Sequence, residues 1–313
     1  MPTTHILRPE RRTLHGHFSR DLEPVLTIQS GDTVQFTTLD SGWGMEPFVG
    51  GEYYHHRRVF ENRDPKLDDG HALTGPIAIE GAKPGMTLEI QIKDIQLGAW
   101  GFCLGVGWPS AVNKRLNITS RGIVHAWQFD KDRMIGRNHL GHTAVLRPFM
   151  GIMGMPPDEV GTHSTIPPRV CGGNLDCKEL VVGSTLYLPI AVAGGLFSTG
   201  DGHAAQGDGE IGGTAIEAPM DLVELTFRVR DDFPVTTPVA NTPAGWITMS
   251  FDTSLNEAAF MAIEAIFSLM EKLYQLDRWE VVALASHAVD LHITQIVNEL
   301  GGVHAILPHG RVR

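Results

Sequence analysis

The sequence predicts a mainly β protein with a helical C-terminal portion, and therefore an α+β fold overall. The chain of 313 residues contains 35 glycines and 19 prolines, which favours many short strands joined by tight turns. Short runs in the first two thirds of the chain alternate between apolar and polar residues, as half-buried strands do. Near the C-terminus the apolar spacing changes to three and four residues, which is typical of helices.

Three alternating runs predict strands in the first part of the chain. Residues 33–37 follow a Ser-Gly-Asp turn, and residues 88–92 follow a Pro-Gly turn. A third run covers residues 222–229. Each run places apolar side chains on one face, so we expect half-buried strands. Residues 97–147 show no strong period, and we expect irregular chain with short strands there.

The chain changes character between residues 234 and 245, which predicts a β body over residues 1–233 and a separate C-terminal portion over residues 234–313. Ser254 with Glu257 three positions later is typical of a capping box at a helix start. Apolar residues then recur along one face, which predicts an amphipathic helix with Phe260, Ile263, Phe267, Met270 and Leu273 on its buried side.

A second helix is expected from Trp279 to Leu300, ended by the two glycines that follow. The first part of this segment, residues 281–285, could instead be a strand.

Charge and cysteine content limit the class of partner. The net charge of −11 leaves no basic surface for phosphates, so we expect no nucleic acid as a partner. No apolar run reaches the roughly 18–20 residues needed to cross a bilayer, so we expect no membrane partner. Three cysteines without disulfide-type spacing and an N-terminus without a signal-peptide pattern predict a cytoplasmic protein.

The stretch from Phe197 to Thr214 carries the strongest functional signal. It places Asp201, His203, Gln206, Asp208 and Glu210 among six glycines, with no Lys or Arg to balance the acids. Glycine allows a backbone to approach a ligand closely, and carboxylates with an imidazole can hold a cation or move protons. The alternative is a solvated, turn-rich acidic loop between strands.

A second polar stretch precedes it. Asn174, Asp176 and Cys177 lie in a Gly-rich turn, and the apolar run after them predicts a buried strand. We expect this turn and the acidic glycine loop to lie at opposite ends of that strand. They form one site only if another segment brings them together.

With these residues in view, the chain resembles the acetamidase/formamidase family. The resemblance rests on GGNLDCKELVVGSTLYLPI, GLFSTGDGHAAQGDGEIGGTAIE and HALTGPIAIEGAKPGMTLEI, and it covers nearly the whole chain. It implies a β-sandwich-like body with an appended α/β portion, assembled as a homo-oligomer. It also implies hydrolysis of short aliphatic amides, formamide or acetamide, to ammonia and the carboxylate.

Amide hydrolysis needs an activated nucleophile, and the sequence contains no Gly-x-Ser-x-Gly motif to supply a serine. Our first hypothesis is a divalent metal, with zinc favoured, whose ligands are Asp176, His203 and His71. Calcium is possible because Asp201, Asp208 and Glu210 are hard oxygen ligands. We expect Glu210 to act as the general base or acid. Asp201 would either orient His203 or bind the metal. Asn174 and Gln206 would bind the amide of the substrate.

Three alternatives stay open at this point. Cys177 could act as a thiolate nucleophile, although Asp176 beside it would raise the pKa of the thiol. The chain could also be a non-catalytic metal- or ligand-binding β protein on the same scaffold. A third possibility keeps hydrolysis but takes a larger amide or a urea-like substrate.

Overall fold

The computed structural model describes residues 1–52, 56–105, 110–118 and 121–312, in which the chain forms 23 strands and three helices. The first twelve strands are β1 (Thr4–Leu7), β2 (Leu14–His15), β3 (His17–Phe18), β4 (Leu26–Ile28), β5 (Thr33–Thr38), β6 (Gly51–Glu52), β7 (Leu73–Ile79), β8 (Thr87–Leu97), β9 (Trp100–Gly105), β10 (Ile123–Asp130), β11 (Ile135–Asn138) and β12 (Thr143–Val145). The remaining strands are β13 (Phe149–Gly154), β14 (His163–Ser164), β15 (Gly172–Asn174), β16 (Thr185–Pro189), β17 (Phe197–Ala205), β18 (Ile216–Glu217), β19 (Met220–Arg230), β20 (Val239–Asn241), β21 (Gly245–Asp252), β22 (Asp290–Asn298) and β23 (Leu300–Pro308). The helices are α1 (Ala111–Leu116), α2 (Leu255–Tyr274) and α3 (Arg278–Ala288).

Two large sheets pack around one shared core. The first has nine strands in the order β1-β5-β19-β8-β16-β20-β21-β23-β22, and the second has twelve strands, including β7, β9, β13, β15, β17 and β18. Phe197 of the second sheet contacts Phe36 and Phe227 of the first, with ring centroids 6.4 and 5.0 Å apart. The mainly β, sandwich-like body that the sequence predicted is therefore confirmed.

The alternating runs form adjacent strands of the nine-stranded sheet. They correspond to β5, β19 and β8, which lie next to one another and pair antiparallel. Along β5, half-buried and fully buried residues alternate, as the period of two requires. Residues 97–147 are more regular than expected, because β9 and β10 pair over six residues and β11 and β12 extend the sheet.

The C-terminal segment continues the nine-stranded sheet, since β20, β21, β23 and β22 follow β16 in its order. The proposed division after residue 233 stays a prediction. Helix α2 begins where expected, with Ser254 Oγ accepting a hydrogen bond from Glu257 N. Its expected buried face is wrong at Phe260 and Leu273, which are 64% and 36% exposed. The residues that face the sheet are Ala258, Ala262, Ile266, Leu269 and Met270. Small alanines let the helix approach the sheet closely, so that Thr248 Oγ1 of β21 donates to Ala262 O at 2.8 Å.

The second C-terminal helix is shorter than predicted. Helix α3 starts with a capping box of Asp277 and Glu280 and ends at Ala288, so residues 281–285 are helical. Residues 290–298 form β22 instead of continuing the helix, because they pair with β23. None of the helices among the described residues combines the length and apolar character that crossing a bilayer requires.

Candidate active site

Three neighbouring strands of the twelve-stranded sheet bring the two polar stretches together. β13 lies between β17 and β15, pairing Phe149 with His203 and Ile152 with Asn174. The stretch expected to be an acidic glycine loop is a strand as far as Ala205, and only residues 206–214 form a loop. The two polar clusters are therefore brought together by another segment, which was the condition for a single site. They meet across β13, which the sequence did not identify as part of the site.

Gly151 of β13 lies at the meeting point. A Cβ at this position would be 2.6 Å from Asp201 Oδ2, 2.8 Å from His203 Cε1 and 2.9 Å from Asp176 Oδ1. The carbonyl oxygen of Gly151 accepts hydrogen bonds from the backbone N–H groups of Leu175 and Asp176, at 2.9 and 3.2 Å. The missing side chain therefore leaves space that the site residues share.

His203 is the centre of the cluster. Its Nε2 lies 3.3 Å from Asp201 Oδ2 and 3.4 Å from Glu217 Oε2. Its Nδ1 lies 2.9 Å from Gln206 Oε1, and Gln206 Nε2 donates to Asp176 O at 2.8 Å. Because the amide oxygen of Gln206 can only accept, His203 Nδ1 carries the proton of this hydrogen bond. In a neutral His203 ring, Nε2 therefore has a free lone pair, which faces Asp201 and Glu217.

Four buried carboxyl groups surround His203 and form two groups of possible metal ligands. Asp176, His203 and Glu210 make one group, and Asp201, His203 and Glu217 make the other, each with its donor atoms within 4.8 Å of one another. Buried polar atoms normally have a hydrogen-bond partner. Among the described residues, the buried atoms of this cluster without a partner are Asp176 Oδ1, His203 Nε2, Glu210 Oε2 and Glu217 Oε2. These orphaned donor atoms fit a divalent cation.

The cluster strongly perturbs the protonation of its members. Burial raises the pKa of Asp176 to about 8 and that of Glu217 to about 7. Burial, then the Asp176 carboxylate, raise the pKa of Glu210 well above its usual value. Burial alone would lower the pKa of His203 and raise the pKa of Asp201. The interactions of His203 with Glu217 and Asp201 raise its pKa well above the usual value instead. The interaction with His203 in turn lowers the pKa of Asp201. The four acids therefore cannot all ionise unless positive charge is supplied.

Three of these acids adopt left-handed backbone conformations. The φ angles are 47° at Asp176, 56° at Asp201 and 45° at Glu210. Non-glycine residues rarely adopt this region, and such strain is concentrated at functional sites.

Not all predicted site residues join this cluster. His71 belongs to neither ligand group around His203. Its Nδ1 lies 2.8 Å from Thr165 Oγ1. Its electrostatic interaction with Asp201 helps to lower the pKa of that carboxyl group. Asn174 Nδ2 donates to Ile166 O at 3.0 Å, and its Oδ1 is buried without a partner among the described residues. Both polar atoms of the Gln206 amide are already engaged within the site. Roles in metal or substrate binding stay predictions for these three residues.

Two residues of the cluster were missed by sequence reasoning. Glu217 lies on β18 and pairs with His203 of β17. It ends the GGTAIE segment that was quoted for the resemblance, which was the available signal. Asn298 Nδ2 donates to Asp176 Oδ2 at 2.6 Å, and it comes from β22, which the sequence had placed in a helix.

Two clefts lie beside the cluster. One, of about 390 Å³, is lined by Gln206, Glu210 and other residues of loop 206–214. The other, of about 730 Å³, is lined by His71, Trp43 and Phe102 among others, and it shares Thr214 with the first. Glu210 lines the first cleft, so small molecules can approach this carboxyl group from the loop side.

Cys177 does not have the environment of a nucleophile. The side chain is fully buried in the core shared by the two sheets, and burial raises the pKa of its thiol to about 12. A reactive cysteine needs an exposed, electropositive setting that stabilises the thiolate. This environment argues against Cys177 as the nucleophile.

The chain is similar in sequence to known amidases. The chain is 28% identical to a formamidase of Methylophilus methylotrophus over 249 residues, 63% of this chain and 59% of that protein. It is 26% identical to an acetamidase of Mycolicibacterium smegmatis over 321 residues, 79% of this chain and 77% of that protein. The chain thus spans less than two thirds of the length of the formamidase.

Solved structures and a family model extend this similarity. The crystal structure of an acetamidase from Bacillus halodurans superposes with a TM-score of 0.83, at 28% identity, covering 97% of both chains. The model of the acetamidase/formamidase family matches residues 3–161 and 159–308. This chain belongs to the acetamidase/formamidase family.

Proposed function

We propose that this protein hydrolyses short aliphatic amides, such as formamide and acetamide, to ammonia and the carboxylate. The observation that carries the proposal is the buried cluster of one imidazole and four carboxyl groups around Gly151. The named relatives, a formamidase and an acetamidase, supply the substrate class.

We further propose that the cluster holds a divalent cation, with zinc favoured. Zinc bonds of roughly 2.0–2.2 Å place tetrahedral ligands about 3.3–3.6 Å apart. The separations of 3.3 and 3.4 Å from His203 Nε2 to Asp201 and Glu217 match that spacing. We therefore propose His203, Asp201 and Glu217 as ligands, with Asp176 Oδ1 facing the same group. Glu217 takes the place that we first gave to His71.

Such an ion supplies Lewis acidity, polarising a carbonyl and making water more acidic. Glu210 is proposed as the general base or acid, because it joins the cluster and also lines the cleft of about 390 Å³. Gln206 is proposed as a positioning residue, because its amide joins the His203 ring to the backbone of Asp176. Glu210 would take a proton from water and return it to the leaving ammonia.

The test is ammonia release by the intact protein from formamide, acetamide, longer aliphatic amides and urea, before and after removal of metal by a chelator. We expect release from a short amide, loss after chelation, and recovery with Zn²⁺. Glu217→Gln should lose both bound zinc and activity. Glu224→Gln is the control, since Glu224 pairs with Gln35 in the other sheet.

Three outcomes would reject parts of this proposal. No release from any amide by zinc-supplied protein would favour the non-catalytic binding protein. Release that chelation leaves unchanged would reject the metal but keep the amidase. Release confined to urea or longer amides would replace short aliphatic amides as the proposed substrate class. The cleft of about 730 Å³ has room for such molecules. Cytoplasmic location and assembly as a homo-oligomer stay predictions.

A further inference from the structure

A second group of possible metal ligands lies beside the proposed active site and has no role in its chemistry. Asp208 of loop 206–214, His292 of β22 and His304 of β23 each offer one donor atom, and these atoms lie within 4.8 Å of one another. The group shares no residue with the cluster around His203.

His304 is the residue that points to a ligand. Its side chain is 1% exposed, and its Nδ1 lies 2.8 Å from Thr294 Oγ1. Its Nε2 is also buried, yet has no hydrogen-bond partner among the described residues. A buried ring nitrogen without a partner is costly, since it has lost its contact with water. The Thr294 contact leaves Nε2 as the atom that His304 can offer.

His292 lies over this ring, and Asp208 contacts His292. His292 and His304 are directly opposite in the β22–β23 ladder, and their rings stack with centroids 4.9 Å apart and planes 5° from parallel. Asp208 Oδ2 lies 2.9 Å from His292 Nδ1. Lys178 Nζ lies 2.9 Å from the other oxygen, Oδ1, and so fixes the orientation of the carboxylate.

We propose that Asp208, His292 and His304 form a second metal site, which takes a first-row divalent cation such as Zn²⁺. Two imidazoles and one carboxylate are a ligand set that zinc uses in proteins. With Nδ1 donating to Thr294 Oγ1, this contact would fix the tautomer and orientation of a metal-binding imidazole. Asp208 is exposed, so solvent can provide the fourth ligand.

The site would hold loop 206–214 against the edge of the nine-stranded sheet. Two backbone hydrogen bonds already join them, from Gly209 N to Thr294 O and from Ile296 N to Gly209 O, both at 3.1 Å. The Asp208–His292 contact is a third connection, and a cation bound by Asp208 and both histidines would strengthen it, two residues before Glu210. The ammonium of Lys178 opposes the cation, so we expect weaker binding here than at the His203 cluster.

The test is equilibrium dialysis of metal-free intact protein against Zn²⁺, with bound zinc counted per chain. We expect His292→Asn and Asp208→Asn each to bind one zinc fewer than the wild type, while His203→Gln keeps this weaker zinc. Thr294→Val should lower the zinc affinity of the Asp208, His292 and His304 site by about 10- to 100-fold. His287→Asn is the matched control, because His287 lies on exposed helix α3 outside the group.

The outcomes separate this site from the proposed active site. Loss of one zinc in both His292→Asn and Asp208→Asn, with retention in His287→Asn, supports the second site even if no amide is hydrolysed. Wild-type stoichiometry and affinity in both variants would overturn it. Asp208 is exposed in a loop, so its substitution tests the site without disturbing the buried core.

Discussion

Replacing Gly151 by alanine adds one methyl group at the point where the candidate site residues meet. The Cβ would lie 2.6–2.9 Å from Asp201 Oδ2, His203 Cε1 and Asp176 Oδ1, whereas ordinary contacts begin at 3.4 Å. The three side chains must therefore move by about 0.5–0.8 Å. Misplacement of catalytic groups by about 1 Å can lower a rate by about 100-fold. We expect Gly151→Ala to lower kcat/KM for acetamide by about that factor.

The same overpacking should also lower the free energy of unfolding. Overpacking a buried position costs about 1–3 kcal/mol, which urea unfolding can measure. Gly136→Ala is the matched control, because its Cβ would meet only apolar side chains, with Leu146 Cδ2 nearest at 3.1 Å. Wild-type kcat/KM in a Gly151→Ala protein that carries bound metal and folds normally would refute the placement of the site at β13.

Three further predictions concern residues around the site and in the core. Cys177→Ala should keep ammonia release within about twofold. It should lower the free energy of unfolding by about 1–2 kcal/mol, because a buried side chain is shortened. Loss of activity in the folded variant would restore the thiol hypothesis. Asn298→Ala should lower the free energy of unfolding by about 2 kcal/mol, because it leaves buried Asp176 without its 2.6 Å donor; urea unfolding at neutral pH would show an unchanged midpoint if this contact were unimportant. Burial lowers the pKa of His15 from 6.5 to about 4, so its contribution to stability is present above pH 6.5 and is lost as the pH falls through 4. Between pH 6.5 and pH 4 the free energy of unfolding of the wild type should fall by about 3 kcal/mol more than that of His15→Gln. Equal decreases in the two proteins would contradict the lowered pKa of His15.

Much of the fold could be predicted because its signals are local. The alternation along residues 33–37, 88–92 and 222–229 predicted three strands that are adjacent in the nine-stranded sheet. The start of α2 was predicted from Ser254 and Glu257. The strand at residues 290–298 was missed because its pairing with β23 comes from tertiary structure, which overrides an ambiguous local pattern.

The site was predicted in part for the same reason. Asp176, Asp201, His203 and Glu210 stood out because glycines surround them in the sequence, and the structure brings them together. Gly151 has no polar side chain, so only the pairing of β13 with its neighbours shows its position. His71 resembled a ligand because of its loop setting, but its nearest polar partner is Thr165.

Ammonia release from acetamide by His203→Gln tests the central proposal most directly. His15→Gln is the control, because both variants replace a buried histidine and His15 bonds to Ser198 outside the ligand groups. We predict that His203→Gln folds but loses about 1,000-fold or more in kcat/KM, as removal of a central catalytic group does, while His15→Gln keeps most of the activity. Wild-type ammonia release by folded His203→Gln would contradict the proposed active site.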